Sequence, residues 1–313
     1  MRIDQLLVQR GLASTRSQAQ RLIADGVEWR LVEGWRRVAK NGDEVNPDAE
    51  LRLLNDAEAR YVSRGGLKLE FALKHVGLSV DGKACLDVGQ STGGFTDCLL
   101  QHGAATVVGV DVGSAQLHPA LRSDPRVLCV EKVNARALTE DDIHMAYAGS
   151  MGEDGPFEAE SGPLRLGGAD GHEDWDFAAD PEAEDDSDAD FDGASGSAVA
   201  DAFAESEFST AFDVVVADLS FISQTLVLPA AVPMLKPGGT LLTLVKPQFE
   251  LQPGQVGKGG IVRDPDMYAV VESRLRQCCA DLGLVVTHWF DSPIAGGDGN
   301  REFFICATKP AHG

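Results

Sequence analysis

Four charged residues stand where a buried sheet would present its reactive edge: Lys68, Asp218, Lys246 and Glu302. Asp218 closes the apolar run Asp213–Ala217, and Lys246 closes the run Thr240–Val245. Glu302 opens the last such run, Glu302–Ala307, and Lys68 falls on a helical stretch just ahead of the first. In open α/β sheets the carboxyl ends of parallel strands face the ligand crevice, so Asp218 and Lys246 are expected to point into it. A charge at the end of a buried strand is costly unless paired, which argues for mutual pairing. Two readings stay open: an ion-pair network that merely steadies the strand ends, or a reaction centre. The chemistry that wants lysine and aspartate there is alkylation of an alcohol. A ribose 2′-hydroxyl is a poor nucleophile until its proton leaves, so a base must sit within hydrogen-bond reach. A lysine of ordinary pKa needs roughly 4–5 kcal/mol to become neutral at pH 7, and burial and nearby positive charge lower that cost. Lys68 and a sulfonium methyl donor would supply such charge, while Asp218 and Glu302 oppose it and hold the geometry.

A donor needs a cradle, and one string provides it: Leu86-Asp87-Val88-Gly89-Gln90-Ser91-Thr92-Gly93-Gly94-Phe95-Thr96, between an expected strand and an expected helix. Glycines let the backbone turn tightly and approach a ligand, and the helix N-terminus offers free N–H groups to an anion such as a methionine carboxylate. Asp87, Gly89, Ser91, Thr92, Gly93, Gly94 and Phe95 are the expected contacts, with Asp218 at the next strand end. Asp111 lies 22 residues after Gly89 at the end of the following strand, where an acid can accept both ribose hydroxyls of a nucleoside. A dinucleotide site would use the same pair. Against that, the loop lacks the GxGxxG register, and Leu235-Lys236-Pro237-Gly238-Gly239 closely resembles the turn before strand five of class I methyltransferases. Asn134 is placed to meet adenine or ribose, or to be a plain loop asparagine. The cofactor expected is S-adenosyl-L-methionine.

These residues require a scaffold of alternating elements. From Lys83 onward, apolar runs at Ala84–Val88, Thr106–Val110, Val127–Val130, Asp213–Ala217 and Thr240–Val245 alternate with helical stretches at Gly94–Gln101, Ile222–Val232 and Pro265–Leu282. Buried Val/Leu runs between helices predict a Rossmann-like α/β fold, a parallel sheet with helices on both faces. Leu284–Trp289 and Glu302–Ala307 are close enough for a hairpin-like finish. Residues 1–60 read instead as a small α+β unit. Ile3, Leu6 and Leu7 form one helical stripe, Ser14 is the expected cap of a second helix closed by Gly26, and strand-like stretches follow at Trp29–Val32, Trp35–Val38 and Leu51–Leu54.

Charge sharpens this division. The formal charge is -22, yet residues 151–210 hold 19 acidic residues against one basic, so the remaining chain carries only -4. The stretch 148–209 offers little to bury and is expected to be a disordered acidic insertion, a solvated spacer or an arm that competes with RNA. Six cysteines without CxxC spacing fit buried small hydrophobes in a reduced compartment, and seven histidines form no ligand pattern, so no metal is expected. No leader-like or membrane-spanning run is read, and a cytoplasmic site is expected.

Taken together, these strings resemble the TlyA-type ribosomal RNA 2′-O-methyltransferases, related to FtsJ-like enzymes. The resemblance rests on Tyr61–Glu70, the Asp87–Thr96 loop, Val110–Gly113, Asp218–Ser223, Val245–Glu250 and Gly297–Phe303, and spans nearly everything except the acidic insertion, which the family lacks. It implies a Lys-Asp-Lys-Glu tetrad at Lys68, Asp218, Lys246 and Glu302, and methyl transfer to a cytidine 2′-hydroxyl of ribosomal RNA or ribosomal subunits. Members are often labelled hemolysins, but no amphipathic or apolar membrane segment appears. Residues 1–60 resemble the small RNA-binding domain of the fourth small-subunit ribosomal protein, through Arg2-Ile3-Asp4, Arg10-Gly11-Leu12 and Ser14–Ile23. That likeness implies a basic face of Arg2, Arg10, Arg16 and Arg21 toward RNA phosphates. Residues 1–40 hold eight basic residues against four acidic, which suits it. The division expected is therefore 1–60 for RNA and 61–313 for methyl transfer. Two rivals remain. An amino-group methyltransferase acting on a base would use an acidic-Pro-Pro-aromatic motif, which Asp218–Phe221 resembles only without its prolines. A non-catalytic RNA-binding or hemolysin-like protein would not need all four charged positions.

Overall fold

The computed structural model describes residues 1–13, 15–54, 59–151 and 209–311. A small unit comes first: helices α1 (Ile3–Gln9) and α2 (Arg16–Gly26), then strands β1 (Val27–Leu31), β2 (Gly34–Arg37) and β3 (Leu51–Leu53). The strands form an antiparallel sheet in the order β2-β1-β3. Ile3, Leu6, Leu7, Ala19, Leu22, Ile23 and Val27 make its core, the one face of each helix that the sequence marks as apolar. The second helix is capped by Thr15, whose side chain accepts from the backbone N–H of Gln18. Ser14, the expected cap, lies outside the described residues.

The larger unit is a seven-stranded sheet. Its strands are β4 (Ala84–Val88), β5 (Thr106–Val110), β6 (Val127–Val130), β7 (Phe212–Asp218), β8 (Leu235–Val245), β9 (Val285–Asp291) and β10 (Phe303–Thr308). The spatial order is β6-β5-β4-β7-β8-β10-β9. All neighbours from β6 to β8 run parallel, while β10 is antiparallel to both β8 and β9. Helices α3 (Arg64–Val76), α4 (Gly94–Gln101), α5 (Pro119–Arg122), α6 (Glu140–Met151), α7 (Gln224–Ala231), α8 (Pro247–Glu250) and α9 (Asp266–Asp281) complete it. Two apolar clusters, one on each face, bury the sheet: one holds Leu86, Val215 and Leu241, the other Cys85, Val214 and Leu242. Alternate residues of one strand thus feed opposite cores, which is why the strands read as continuous Val/Leu runs.

Several boundaries differ from the sequence reading. Leu235–Gly239 is not a separate turn but the irregular head of β8, whose pairing with β7 slips between Phe212 and Val214. Lys246 and Glu302 flank their strands, one residue after β8 and one before β10. The short α5 and the acidic-capped α6 have no counterpart in the sequence reading, and α6 carries regular structure through Ala148 to Met151. The rest of the acidic stretch, 152–208, lies outside the described residues.

Candidate active site

Sheet topology gathers the four charged residues. β4, β7 and β8 run parallel, so Val88, Asp218 and Val245 all end at one edge of the sheet. β10 runs the other way and pairs Phe303 with Val245, so its beginning meets that same edge. An antiparallel final strand is therefore what brings Glu302 to the mouth. Lys68 arrives from α3, where it projects from the buried side together with Leu69 and Ala72.

The groups meet as two pairs. Lys68 Nζ donates to Glu302 Oε2 at 2.6 Å, with both side chains almost wholly enclosed. Lys246 Nζ lies 2.6 Å from Asp218 Oδ1 and donates to Ser220 Oγ at 2.8 Å. The contact with Asp218 is a close ion pair, and Ser220 supplies a second polar contact to the same nitrogen. Burial pushes the Glu302 carboxyl above the usual range, and the charges of Lys68 and Lys246 pull it back. Glu302 therefore feels the other three groups at once.

Beside them the glycine loop turns. Gly89 has φ 85°, and a Cβ there would sit 2.7 Å from the carbonyl oxygen of Asp218. Gly93, at φ 95°, caps α4 and would drive a Cβ to 2.4 Å from Leu121. Ser91 holds a positive φ of 47° without being glycine, and its N–H donates to Asp111 Oδ2 at 2.7 Å. A cleft opens between this loop and the Lys246 pair; Gly89, Ser91, Thr92, Gly94 and Phe95 line it on one side, Asp218 and Lys246 on the other.

Not every expected contact reaches the cleft. Asp87 is fully buried behind the loop, where its Oδ2 accepts from Thr96 Oγ1 at 2.7 Å and its Oδ1 has no partner. Burial pushes its carboxyl up to about 7, against the pull of Thr96. Gln90 extends this network, donating to Thr96 and accepting from Cys129. Asp111 sits at the end of β5 with its two oxygens receiving the N–H groups of Ser91 and Gly113. Asn134 is exposed and caps a 3-10 turn through the N–H of Arg136, the plain role that is one of its two readings. Gly93 faces Leu117 and Leu121 and shapes the loop.

The structure also adds residues that the motifs alone do not single out. Ser63 and Gly65, from the start of α3, and Gln90 and Ser220 complete the cleft wall. Ser220 is legible in the sequence as the polar residue two positions past a strand end. Phe221 is not: its ring is 90% exposed, its φ is 64°, and it leans on Phe249 at 5.1 Å. A large aromatic held in the left-handed region and turned to solvent marks a site where backbone strain is retained. Among the described residues no three His, Cys, Asp or Glu gather as a metal ion would need.

In the small unit the four arginines expected to face RNA have internal partners. Arg2 and Arg16 both pair with the buried Asp4, at 2.9 and 3.2 Å. Arg10 donates to the carbonyls of Ala49 and Pro47. Arg21 is half-buried and also engaged.

Known proteins resemble both units. The model of the FtsJ-like methyltransferase family matches residues 61–309, and that of the S4 domain matches residues 1–26. The 16S/23S rRNA (cytidine-2′-O)-methyltransferase TlyA of Mycobacterium tuberculosis is 36% identical over 304 residues, which cover 97% of this chain and 88% of that protein. Hemolysin A of Brachyspira hyodysenteriae is 30% identical, covering 97% of this chain and 98% of its own. A solved structure from Streptococcus thermophilus, named as a hemolysin candidate, superposes with a TM-score of 0.61 at 34% identity over 99% of this chain and 88% of that one. With four charged groups and a glycine-lined cleft on one sheet edge, and with matches of this extent, the chain belongs to the FtsJ-like family of S-adenosylmethionine-dependent methyltransferases.

Proposed function

We propose that this protein transfers a methyl group to a ribose 2′-hydroxyl of ribosomal RNA, at a cytidine, in the cytoplasm. The observation that carries the reading is the convergence of the Lys68–Glu302 and Lys246–Asp218 pairs beside the glycine loop. The M. tuberculosis relative named for this reaction supports the choice of cytidine and of ribosomal RNA.

The cleft fits S-adenosylmethionine on its own terms. A cradle whose glycines have no room for a Cβ, the N-terminus of α4, and the Asp218 carboxylate on the cleft wall together suit a ligand with a carboxylate, an ammonium and a sulfonium. Gly89, Ser91, Thr92, Gly94 and Phe95 would hold its amino-acid end, and Asp111 its ribose; Asp87 would brace the loop from behind. When bound, it supplies an electrophilic methyl carbon.

The chain's own residues do the rest. Lys246, acting as the neutral amine, takes the proton of the 2′-hydroxyl onto Nζ while the oxygen keeps the bonding pair for attack, and it is held in place by Asp218 and Ser220. Asp218 balances the ammonium that results. Lys68 and Glu302, packed against the same edge, fix the electrostatic surroundings and keep water away. Positioning of the attacking oxygen accounts for much of the acceleration expected. Residues 1–60 are proposed as the RNA-contact unit, with Arg2, Arg10, Arg16 and Arg21 on one face, and 61–313 as the methyltransferase unit.

The test is Lys246→Ala, assayed with ribosomal subunits and labelled methyl donor. Transfer should vanish while donor binding persists, and product from the unaltered protein should resist alkaline cleavage 3′ to one cytidine. Product cleaved normally by alkali would instead favour a base amino group. The hemolysin names belong to the relatives that carry them; among the described residues no helix is long and apolar enough to cross a membrane.

A further inference from the structure

We infer that the outward face of the small sheet, centred on Trp35, is a second RNA contact that stacks an unpaired base. The identity of the ligand rests on the ribosomal RNA reading above; the surface itself rests on the sheet's register. Glu28 stands opposite Arg37 on one side and Arg52 on the other, and Arg30 stands opposite Trp35. Side chains alternate along a strand, so these five share one face. The other face carries Val27, Trp29, Leu51 and Leu53, which pack on the helices. The unit's core is thus complete without Trp35.

What surrounds that ring is cationic and planar. Arg52 lies over it at 4.3 Å from the centroid and Arg30 at 5.3 Å. Arg52 is also tied to Glu28 by a 2.7 Å hydrogen bond, which fixes its plane. Arg37 is exposed and, among the described residues, makes no ion pair. Three guanidiniums face one carboxylate. A guanidinium layered on an indole keeps its N–H edges pointing outward, ready for phosphate, while its outer plane accepts a base. Unpaired RNA offers both a flat π-face and an anion at that spacing, so it matches this surface better than a carboxylate-rich peptide, which lacks the flat face. The arginines of the helix face differ in this respect, because Asp4 and backbone carbonyls already occupy them.

The experiment uses the full chain and an unstructured RNA oligomer of about 12 nucleotides, a length within the range such surfaces cover. Trp35→Ala should weaken binding about tenfold and leave its salt dependence unchanged. Trp35→Phe should keep most of the affinity while losing part of the RNA-induced quenching of tryptophan fluorescence, which also shows that the unit is folded. Arg37→Glu should weaken binding and flatten the salt slope by about one phosphate contact. Arg276→Ala, which removes a surface cation of α9 outside the cleft lining, should bind this oligomer like the unaltered protein, which separates the surface from a general loss of positive charge. Trp35→Ala binding as tightly as the unaltered chain would overturn the inference and leave the methyltransferase reading standing. So would displacement of the RNA by polyglutamate at equal charge concentration, since a stacked base has no counterpart there.

Discussion

The molecule holds two lysine–carboxylate pairs of equal length at one sheet edge, and they differ in what surrounds them. Lys68 and Glu302 are sealed, with side-chain exposures of 9% and 2%, and satisfy each other by a hydrogen bond. Lys246 and Asp218 are more open, at 13% and 24%, and line the cleft. A sealed pair is a fixed charge arrangement, whereas an open pair that lines a cleft can be reached by a ligand. The difference teaches that a charged tetrad is not four equal participants. In the function proposed above, one pair meets substrate and the other holds the site in which it does so.

Breaking the open pair should give the largest effect. Lys246→Ala removes the proposed base, and general-base catalysis is worth about 10²–10⁴-fold. We expect a loss of turnover in that range, with thermal stability and donor affinity close to unaltered. A variant retaining most of its turnover would show that the two pairs are both structural.

Breaking the sealed pair should act on folding first. Removing one partner of a buried ion pair typically costs about 3–5 kcal/mol, because the survivor stays enclosed and uncompensated. Lys68→Met should therefore lower the unfolding free energy in denaturant titrations by about that amount. Burial already raises the Glu302 carboxyl, and losing Lys68 raises it further. A carboxyl raised in the folded state means that the native protein binds more protons than the unfolded chain, so stability falls as pH rises through that window. The deficit of Lys68→Met should accordingly be greater at pH 8 than at pH 5, and Lys68→Met/Glu302→Gln should recover most of it. A deficit independent of pH would mean that packing, not charge, is what the variant lost.

Much of this contrast is legible in the amino-acid sequence, and the missing part has a physical cause. Strand runs such as Ala84–Val88, Thr106–Val110 and Val127–Val130 coincide with the observed strands, because a strand buried on both faces has almost no choice but Val and Leu. The placing of Lys246 and Glu302 near strand ends is equally readable. Which lysine pairs with which carboxylate is not, because that depends on β10 lying between β8 and β9, a long-range pairing that no local pattern records. Asp87 and Asp111 show the same limit. Both stand at strand ends, yet one is enclosed behind the loop and the other receives two backbone N–H groups. Phe221 escapes because an aromatic in an apolar-looking string reads as core, and only its positive φ and exposure reveal otherwise.

Phe221 sharpens the comparison from the substrate's side. It stands next to Ser220 on the open pair's side of the site, and its exposure leaves the core indifferent to it. Stacking of a base on an aromatic is worth about 1–3 kcal/mol. Phe221→Ala should therefore lower kcat/KM for RNA about tenfold, mainly through KM, with no loss of thermal stability. Phe221→Gly, which suits the left-handed backbone, should melt no lower than Phe221→Ala. If kcat/KM is unchanged, the strained ring serves something other than the nucleotide to be methylated.

The smallest expected effect tests how the open pair is held. Ser220 Oγ accepts the hydrogen bond of Lys246 Nζ at 2.8 Å, and Asp218 meets the same nitrogen as an ion pair at 2.6 Å. Charge alone leaves the direction of an ammonium poorly defined, since Coulomb attraction is not directional, whereas a hydrogen bond weakens steeply off its axis. Ser220 therefore aims the nitrogen and Asp218 retains it. Ser220→Ala should lower kcat about five- to tenfold, somewhat less than a hydrogen bond to a charged group usually contributes, because Asp218 still holds the nitrogen. KM for RNA and donor affinity should hold, and Ser220→Thr, which keeps the hydroxyl, should restore the rate. A fall in KM-dependent terms instead, or no rescue by threonine, would assign Ser220 to the cleft wall and leave Asp218 as the group that both holds and aims the base.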